Sequence, residues 1–287
     1  MDPLILSSSI VENFITPRKS TSRKGENGIV LVVGGSYIYH GAPILSSLAA
    51  LRTGTDLVYT CVPKINVAST RSVSPNLIVI PLVDQKLTLG AVKKLIGALP
   101  RNLHSATIGM GLAIQEKNSL LHLVKSLLDR DVRLSLDASA LIPEVLPILA
   151  NKNVVVTPHA GEFKRLFGDV PSNSNSERIE LVKQNASKYG ITILLKGPTD
   201  IISDGNMTYL CEKNTPAMTV GGTGDVLSGL VAGLLATNRN CLESAATASF
   251  ICGLAGKEIQ DKLGLHMTSM DLIDYIPSVM KPFDKII

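Results

Sequence analysis

Residues 214–236 read Asn-Thr-Pro-Ala-Met-Thr-Val-Gly-Gly-Thr-Gly-Asp-Val-Leu-Ser-Gly-Leu-Val-Ala-Gly-Leu-Leu-Ala. The apolar run over residues 226–236 is too short to cross a bilayer, and it predicts a buried helix. The segment Gly-Gly-Thr-Gly at 221–224 leads into the amino end of this helix. Glycine lets the backbone approach a ligand closely, and a helix amino end offers free N–H groups with partial positive charge. This stretch therefore predicts a site for an anion.

Asp225 follows these glycines directly. One interpretation is a helix cap, because Asp is favoured where helices begin. The other is a general base, because a carboxylate beside a phosphate site can accept the proton of an attacking hydroxyl. Both interpretations stay open on these residues alone. The segment is neither a Walker A loop nor a dinucleotide fingerprint, since the spacing of both motifs is missing.

The composition predicts a globular protein with an aliphatic core. Hydrophobic residues make up 45% of the 287 residues, whereas aromatic residues make up 4% and Trp is absent. The net charge of +4, without a long basic run, disfavours a general nucleic-acid binder and suits an anionic small molecule. We expect no signal peptide and no membrane span.

The four cysteines are Cys61, Cys211, Cys241 and Cys252. They form no CxxC pair, and each lies in an apolar or helical context. We therefore expect buried free thiols, a reducing compartment and a cytoplasmic protein.

Strand-like runs alternate with helix-like runs along the chain. Residues 29–33 and 57–62 read as buried strands, and a glycine-rich turn and a helix over 44–52 separate them. This order implies parallel pairing. The other predicted strands cover residues 77–82, 106–109, 132–136, 154–157 and 192–196. The other predicted helices cover residues 88–99, 116–128, 143–149, 176–189 with Ser176 as its cap, 226–236, 241–262 and 269–276.

An antiparallel hairpin over residues 201–211, which turns at Asp204-Gly205, is expected at one edge. The sum is one α/β domain over residues 1–287, with a mostly parallel sheet of about eight strands and helices on both faces. Residues 13–28 are polar and basic. They form either a solvated loop or a loop that touches substrate phosphates.

Ligands of open α/β sheets bind at the carboxyl ends of the strands. Six segments that are rich in glycine or polar residues lie at such ends: residues 34–36, 109–111, 137–139, 157–162, 196–199 and 221–225. A purely structural edge does not need so many, so the set predicts a ligand site along this edge.

Several of these segments resemble the ADP/ATP-dependent NAD(P)H-hydrate dehydratases, which have the ribokinase-like three-layer αβα fold. The matching residues are Gly34-Gly35-Ser36, Tyr39-His40-Gly41-Ala42-Pro43, residues 157–163, Lys196-Gly197 and residues 214–229. The resemblance runs in order from about residue 24 to about residue 279. It implies a single ribokinase-like domain, without the epimerase domain that many relatives carry at the N-terminus.

The resemblance implies repair of nicotinamide nucleotides. The enzyme would phosphorylate the ring hydroxyl of the (S)-hydrate of NADH or NADPH with ADP as donor. The ring-nitrogen lone pair would then expel phosphate, which leaves far better than hydroxide, and the double bond would return. The products would be NAD(P)H, AMP and phosphate, and Mg²⁺ is implied by the ADP chemistry.

Carried over residue by residue, the resemblance implies that Asp225 is the general base. The backbone of Gly222, Thr223 and Gly224 would form the anion hole. The nucleotide would contact Lys196, Gly197, Pro198, Thr199, Asp200 and Gly224. The hydrated nicotinamide would contact Ala42, Gly111, His159 and Asp225. Asp137 either positions Mg²⁺ or caps the following turn, and no set of metal ligands is predicted.

Three departures from the family pattern stand out. Met110 and Ala113 replace residues of a Gly-Pro-Gly-Leu-Gly segment, which allows a less rigid loop and weakens the assignment of Gly111. Ala160 replaces a proline, and Ser139 replaces a second aspartate near Asp137. None of them removes the base or the anion hole.

Two other functions remain as alternatives. An ATP-dependent kinase of a vitamin-precursor alcohol would share Asp225 and the glycines, but it gives no reason for the blocks at 41–43 and 157–159. A non-catalytic nucleotide sensor would not need an intact Asp225. The apolar surface expected of Ala-rich helices such as 241–256 permits a dimer or a tetramer, and the resemblance favours a homo-oligomer.

Overall fold

The computed structural model describes residues 2–171, 174–213 and 215–287, which fold around one mostly parallel sheet. Its strands are β1 Leu4–Ile5, β2 Ile29–Val33, β3 Leu57–Pro63, β4 Leu77–Leu82, β5 Ser105–Ile108, β6 Arg133–Leu136, β7 Val154–Val156, β8 Thr192–Leu195, β9 Thr199–Ser203 and β10 Thr208–Glu212. Its helices are α1 Ser8–Phe14, α2 Ala42–Arg52, α3 Val67–Val73, α4 Leu89–Ala98, α5 Lys117–Leu128, α6 Leu146–Leu149, α7 Ala160–Phe167, α8 Asn175–Tyr189, α9 Thr223–Asn238, α10 Cys241–Leu263 and α11 Ser269–Met280.

The strands lie in the order β1-β10-β9-β8-β7-β6-β5-β2-β3-β4. All neighbours from β8 to β4 in this order pair in parallel. Strand β9 pairs antiparallel with both β8 and β10. The predicted hairpin is therefore confirmed, but it does not form the edge, because β1 pairs in parallel with β10 and covers it.

Helices cover both faces of the sheet, as predicted. Alternate side chains of β2 point to opposite faces. Leu31 and Val33 pack in the cluster that contains α4 and α5, whereas Val30 and Val32 pack with residues of α2 and α9. All five residues of β2 are buried, which explains its continuous apolar sequence. The fold is a three-layer αβα architecture.

Four elements were not predicted: β1, α1, α3 and α7. Strand β1 has two exposed residues, and α3 has seven residues of which one is buried, so neither leaves a clear hydrophobic period. The prediction that Ser176 caps α8 was wrong, because α8 begins at Asn175 with Ser174 as its N-cap residue. The described part contains ten strands rather than about eight.

The basic segment near the amino terminus lies at the amino ends of the strands. The Arg18 guanidinium contacts the Gly54 carbonyl and lies 3.9 Å from the Asp56 carboxylate, just before β3. The backbone N–H groups of Gly25 and Asn27 donate to the same carboxylate at 2.7 and 3.0 Å. The strand-end segments lie at the opposite edge, so these contacts favour the structural interpretation over contact with substrate phosphates.

Helix α9 is buried along residues 226–236 and packs tightly on α2. A Cβ at Gly229 would lie 2.1 Å from the Ser46 carbonyl oxygen, and one at Gly233 would lie 2.2 Å from Thr53 Oγ1. These glycines let the two helices approach closely, which fixes the position of the α9 amino end. In the described ranges, no helix combines the length and apolar character needed to cross a membrane.

We expect Gly229→Ala to lower the free energy of unfolding by about 1–3 kcal/mol, because the new methyl group overlaps backbone that cannot move alone. Gly97→Ala is the matched control: it lies in α4, and no atom stands within 4 Å of an added Cβ. This control should raise stability by about 0.5–1 kcal/mol through helix propensity. Urea unfolding of both variants measures the difference, and equal effects would contradict the close packing of α9 on α2.

Candidate functional site

The amino end of α9 is held in a shape that suits an anion. Gly222 precedes the first residue of the helix, Thr223, and has a φ of +95°. A Cβ at Gly222 would lie 2.6 Å from both Leu45 Cδ1 and Ser269 Oγ, so only glycine fits. Ser269 Oγ also donates to the Gly221 carbonyl at 2.6 Å. The N–H groups of this first turn have no acceptor within the helix and are available to a ligand.

A cluster of charged side chains lies beside this turn. Lys196 Nζ is 2.8 Å from Asp137 Oδ1 and 3.6 Å from Glu162 Oε2. A Cβ added to Gly224 would lie 3.6 Å from the same nitrogen, so the lysine lies against the helix. Asp225 is in the first turn of α9 and interacts electrostatically with all three charged groups. The cluster therefore holds three carboxyl groups and one ammonium group.

The carboxyl ends of β2, β5 and β6 fit closely together. A Cβ at Gly34 would lie 2.5 Å from the Met110 carbonyl oxygen, and one at Gly109 would lie 1.9 Å from the Asp137 carbonyl oxygen. The Gly35 N–H donates to the Met110 carbonyl at 2.9 Å. Met110, which departs from the family pattern, is fully buried in the core behind the segment. Glycine at these positions brings Asp137 near the α9 turn.

Ala42 and Gly111 lie side by side on the same edge. Gly111 has a φ of +62°, and a Cβ there would lie 2.7 Å from Tyr39 Cβ and 3.2 Å from Ala42 Cβ. The structure therefore brings together two of the predicted substrate contacts. Tyr39 is exposed beside them, together with Tyr37 and Ile38.

His159 caps helix α7. Its Nδ1 accepts from the N–H groups of Gly161 at 3.0 Å and Glu162 at 3.2 Å, and Glu162 Oε2 accepts from the His159 N–H at 2.9 Å. Because Nδ1 accepts hydrogen bonds, the neutral ring carries its proton on Nε2. The side chain is 60% exposed, and its Nε2 lies 3.5 Å from Glu162 Oε1, so the histidine caps the helix and stands beside the carboxylate that approaches Lys196. Ala160 is the first residue of this helix.

The segment after β8 forms one wall of a cavity. The Gly197 N–H donates to Asp200 Oδ1 at 3.0 Å. Asp200 is fully buried, and its Oδ2 also accepts from Ser249 Oγ at 2.7 Å and lies 2.6 Å from Lys213 Nζ. The carboxylate of Asp200 therefore supports the segment from beneath.

The cavity has a volume of about 610 Å³ and begins at the α9 turn. Its lining residues are Lys196, Gly197, Pro198, Lys213, Thr215, Pro216, Met218, Thr219, Thr223, Gly224, Leu227 and Cys252. Among the predicted nucleotide contacts, Thr199 and Asp200 do not line it, because they begin β9 behind the wall. The cavity joins an apolar interior to a charged, glycine-rich end, which suits a nucleotide.

A sequence model of the NAD(P)H-hydrate dehydratase family matches residues 30–278. The chain belongs to this family. It is 82% identical over 281 residues to the ADP-dependent (S)-NAD(P)H-hydrate dehydratase of Nitrosopumilus maritimus, and the match covers 98% of each chain.

Two solved structures share the fold of this chain. The ADP/ATP-dependent NAD(P)H-hydrate dehydratase from Bacillus subtilis, co-crystallised with ATP/Mg²⁺, has a TM-score of 0.86 and 26% identity. That match covers 99% of this chain and 100% of the other. A hydroxyethylthiazole kinase from Pyrococcus horikoshii has a TM-score of 0.64 and 15% identity, with 95% and 94% covered, and shares the fold alone. The predicted ribokinase-like fold and the family are confirmed.

The surroundings of Asp225 make its carboxyl group a weak acid. Burial raises the pKa to about 7, and the nearby carboxylates of Asp137 and Glu162 act in the same direction, whereas the Lys196 ammonium opposes them. Burial lowers the pKa of Lys196, but the same two carboxylates outweigh this effect and raise it above its usual value. At neutral pH, Asp225 can therefore both hold and release a proton, as a general base must.

The described residues offer few ligands for a metal ion. They contain no group of three or more His, Cys, Asp or Glu side chains arranged to hold one. Asp137 Oδ1 accepts from Thr157 Oγ1 at 2.9 Å and from Lys196, which leaves its second oxygen for another partner. Mg²⁺ is commonly held by one or two carboxylates together with phosphate oxygens and water. Asp137 and Glu162 fit that arrangement once a nucleotide supplies the phosphates.

The sequence did not reveal two features of the site. Lys213 was missed because it follows an edge hairpin, and it reaches the cavity only when β10 folds back beside β9. Glu162 was recognised only as part of a motif, although it joins His159 to Lys196. The available signal for Lys213 was its position in the sequence: it follows an apolar strand and lies shortly before the glycine-rich turn.

The raised pKa of Asp225 predicts a stability cost. Because its pKa in the folded protein lies above the ordinary value of 3.8, stability falls as the pH rises from about 4 to about 7. Asp225→Asn does not ionise, so we expect it to raise the free energy of unfolding by about 1–3 kcal/mol at pH 8. Urea titrations between pH 4 and pH 8 should show this gain growing with pH and then levelling.

Asp261→Asn is the control, because this carboxylate is exposed on α10. It should change stability little at any pH. A gain for Asp225→Asn that is the same at pH 4 and pH 8 would contradict the cluster electrostatics.

Proposed function

We propose that this protein is an ADP-dependent (S)-NAD(P)H-hydrate dehydratase. It phosphorylates the hydroxyl of the hydrated nicotinamide ring with ADP, and loss of phosphate then restores NADH or NADPH. AMP and phosphate are the other products. The observation that carries the proposal is the position of Asp225: a carboxyl group with a pKa of about 7, in the first turn of α9, beside Gly222–Gly224 and Lys196.

Asp225 acts as the general base. In its ionised form it accepts the proton of the ring hydroxyl as the oxygen attacks the terminal phosphorus of ADP. The backbone carbonyl of Asp225 accepts from Ser46 Oγ at 2.7 Å, which ties this residue to α2 and limits its movement. The neighbouring negative charges favour uptake of the proton.

The backbone N–H groups of Gly222, Thr223 and Gly224 hold the transferred phosphoryl group. They lie at the amino end of α9, where the helix dipole favours negative charge. Lys196 adds an ammonium group beside Gly224. Removal of one such donor typically costs about 10²–10³ in rate.

The hydrated nicotinamide contacts Ala42, Gly111, His159 and Asp225. Ala42 and Gly111 form adjoining walls, and the Nε2–H of His159 can donate to an oxygen of the ring substituents. The nucleotide occupies the cavity of about 610 Å³, with Lys196, Gly197, Pro198 and Gly224 at its wall. Thr199 and Asp200 fix the shape of that wall from behind.

Mg²⁺ is the proposed metal. Asp137 and Glu162 are the residues that would hold it, and the bound ion would neutralise charge on the phosphates. Lys196 alone does not balance three carboxyl groups and the phosphates of ADP, so an added cation fits the charge of this site.

The cytoplasm is the proposed location. All four cysteines are free thiols, and burial raises the pKa of Cys211 to about 11 and the pKa values of Cys241 and Cys252 to about 12. Unreactive free thiols suit a reducing compartment.

The oligomeric state stays a prediction from the resemblance, which favours a dimer or a tetramer. The Ala-rich part of α10 does not support it, because its alanines are buried in the core of the subunit.

An assay of substrate repair tests the function. Hydrated NADH is mixed with the protein, Mg²⁺ and either ADP or ATP, and the return of dihydronicotinamide absorbance is followed. We expect recovery with ADP and a loss of roughly 10²–10⁴ in rate for Asp225→Asn, which should still bind ADP.

Asp261→Asn should repair at the wild-type rate. Phosphorylation of a vitamin-precursor alcohol with ATP, without recovery of absorbance from the hydrate, would replace the proposal with the kinase alternative. If the wild-type protein turns over neither substrate, and Asp225→Asn binds ADP as well as the wild-type protein does, the result would favour a sensor.

A further inference from the structure

A buried ion pair that the phosphoryl-transfer chemistry does not use lies in the wall of the cavity. Lys213 follows β10, and its ammonium nitrogen lies 2.6 Å from Asp200 Oδ2. The Lys213 side chain is 13% exposed and lines the cavity, whereas the Asp200 side chain is fully buried. Burying such a pair is costly unless its remaining hydrogen-bonding groups find partners.

The Lys213 ammonium group has N–H donors beyond the one that the Asp200 carboxylate can accept. A lysine ammonium has three N–H donors. Within the three described ranges, Asp200 is the carboxylate that Lys213 pairs with, and no side-chain or carbonyl acceptor takes a second proton. Burial lowers the pKa of Lys213, but Asp200 outweighs this effect and raises it, so the group stays charged. At least one N–H of Lys213 therefore has no acceptor among the described residues and can donate into the cavity that the side chain lines.

Helix α10 makes room for this arrangement. A Cβ at Gly253 would lie 3.3 Å from Lys213 Cγ, and a Cβ at Gly256 would lie 2.3 Å from Met218 Sδ. The glycines thus allow the stem of Lys213 and the side chain of Met218 to pack against the helix. Both side chains line the cavity, together with Leu227 on α9. The wall is built to hold a cation at a defined point within an apolar space.

The two ends of the cavity differ in charge. Lys196, Gly224 and the amino end of α9 form the end that suits phosphate. At Lys213, the Asp200 carboxylate cancels the positive charge, so this point offers a directed N–H donor rather than net attraction for an anion. The surrounding residues Pro198, Met218 and Leu227 offer apolar contact to a flat ring.

We propose that Lys213 determines nucleobase specificity by donating a hydrogen bond to a ring nitrogen of the adenine of ADP. This role rests on the proposed function, because it assumes that ADP is the nucleotide in the cavity. Asp200 orients the ammonium group and also binds the Gly197 N–H, so the residue that selects the base is linked to the segment that carries Lys196.

The competing explanation is that Lys213 only supports the wall. Its backbone N–H donates to the Pro198 carbonyl at 3.2 Å, and its charge balances Asp200. A purely supporting role would weaken all nucleotides alike when the lysine is replaced. A role in reading the base weakens only nucleotides that carry the acceptor. The two roles therefore differ in whether the loss of affinity caused by replacing Lys213 depends on the acceptor atom of the base.

The experiment compares ADP with 1-deaza-ADP, 3-deaza-ADP and 7-deaza-ADP, each of which lacks one ring nitrogen. Binding to the wild-type protein and to Lys213→Met is measured by calorimetry with Mg²⁺ present. We expect Lys213→Met to weaken ADP about ten- to a hundredfold, the effect of one charge-assisted hydrogen bond. One deaza analogue should bind the wild-type protein equally weakly and lose nothing further in the variant.

A parallel loss for ADP and all three analogues in Lys213→Met would overturn the proposal in favour of a supporting role. Asp200→Asn/Lys213→Met is the second variant, because it leaves no unpaired buried charge if the single variant unfolds. The wild-type series needs no variant at all: equal binding of ADP and every deaza analogue also overturns the proposal. Such a result leaves the dehydratase function standing, whereas failure of the wild-type protein to bind ADP counts against that function.

Discussion

The imbalance of charge around Lys196 is the constraint on which the rest of the site depends. One ammonium group lies between the carboxylates of Asp137 and Glu162 and also faces Asp225. It holds together groups that follow β6, β7 and β8 and the first turn of α9. Burial, together with the two neighbouring carboxylates that this one ammonium group does not fully balance, raises the pKa of Asp225 and keeps its carboxyl group close to protonation at neutral pH. The same imbalance leaves room for a cation that arrives with the nucleotide.

The fold delivers these groups through close backbone contacts rather than through long side chains. Gly109 lets the end of β5 lie against the Asp137 backbone, and Gly222 lets the α9 turn lie against α2 and α11. Gly229 and Gly233 then fix the depth of α9. The position of the Asp225 carboxyl group therefore depends on glycines that lie at a distance from it. The result is a closely packed, glycine-rich turn at one end of the cavity and an apolar lining around Met218 and Leu227.

The sequence predicted the alternation of strands and helices and the edge at which the site lies, because continuous apolar strands such as Ile29–Val33 end in glycine or polar residues. It also predicted Asp225, Gly222 and Lys196 as a group, through the resemblance. It did not predict α7, since Gly161 near its start suggests a loop and the capping by His159 is a three-dimensional feature. The sequence predicted Asp200 as a nucleotide contact, although this residue does not line the cavity, and it did not predict that Lys213 does. Both positions depend on the pairing of β9 with β10.

In the proposed reaction, the ring hydroxyl attacks phosphorus and leaves as part of phosphate. This oxygen transfer can be followed by repair of hydrate that carries ¹⁸O in the hydroxyl, with mass spectrometry of the released phosphate. We expect the label in inorganic phosphate and not in water, with AMP formed in equal amount to NADH. Label found in water, with ADP cleavage independent of the hydrate, would contradict the assignment of Asp225 as the base of a phosphoryl transfer.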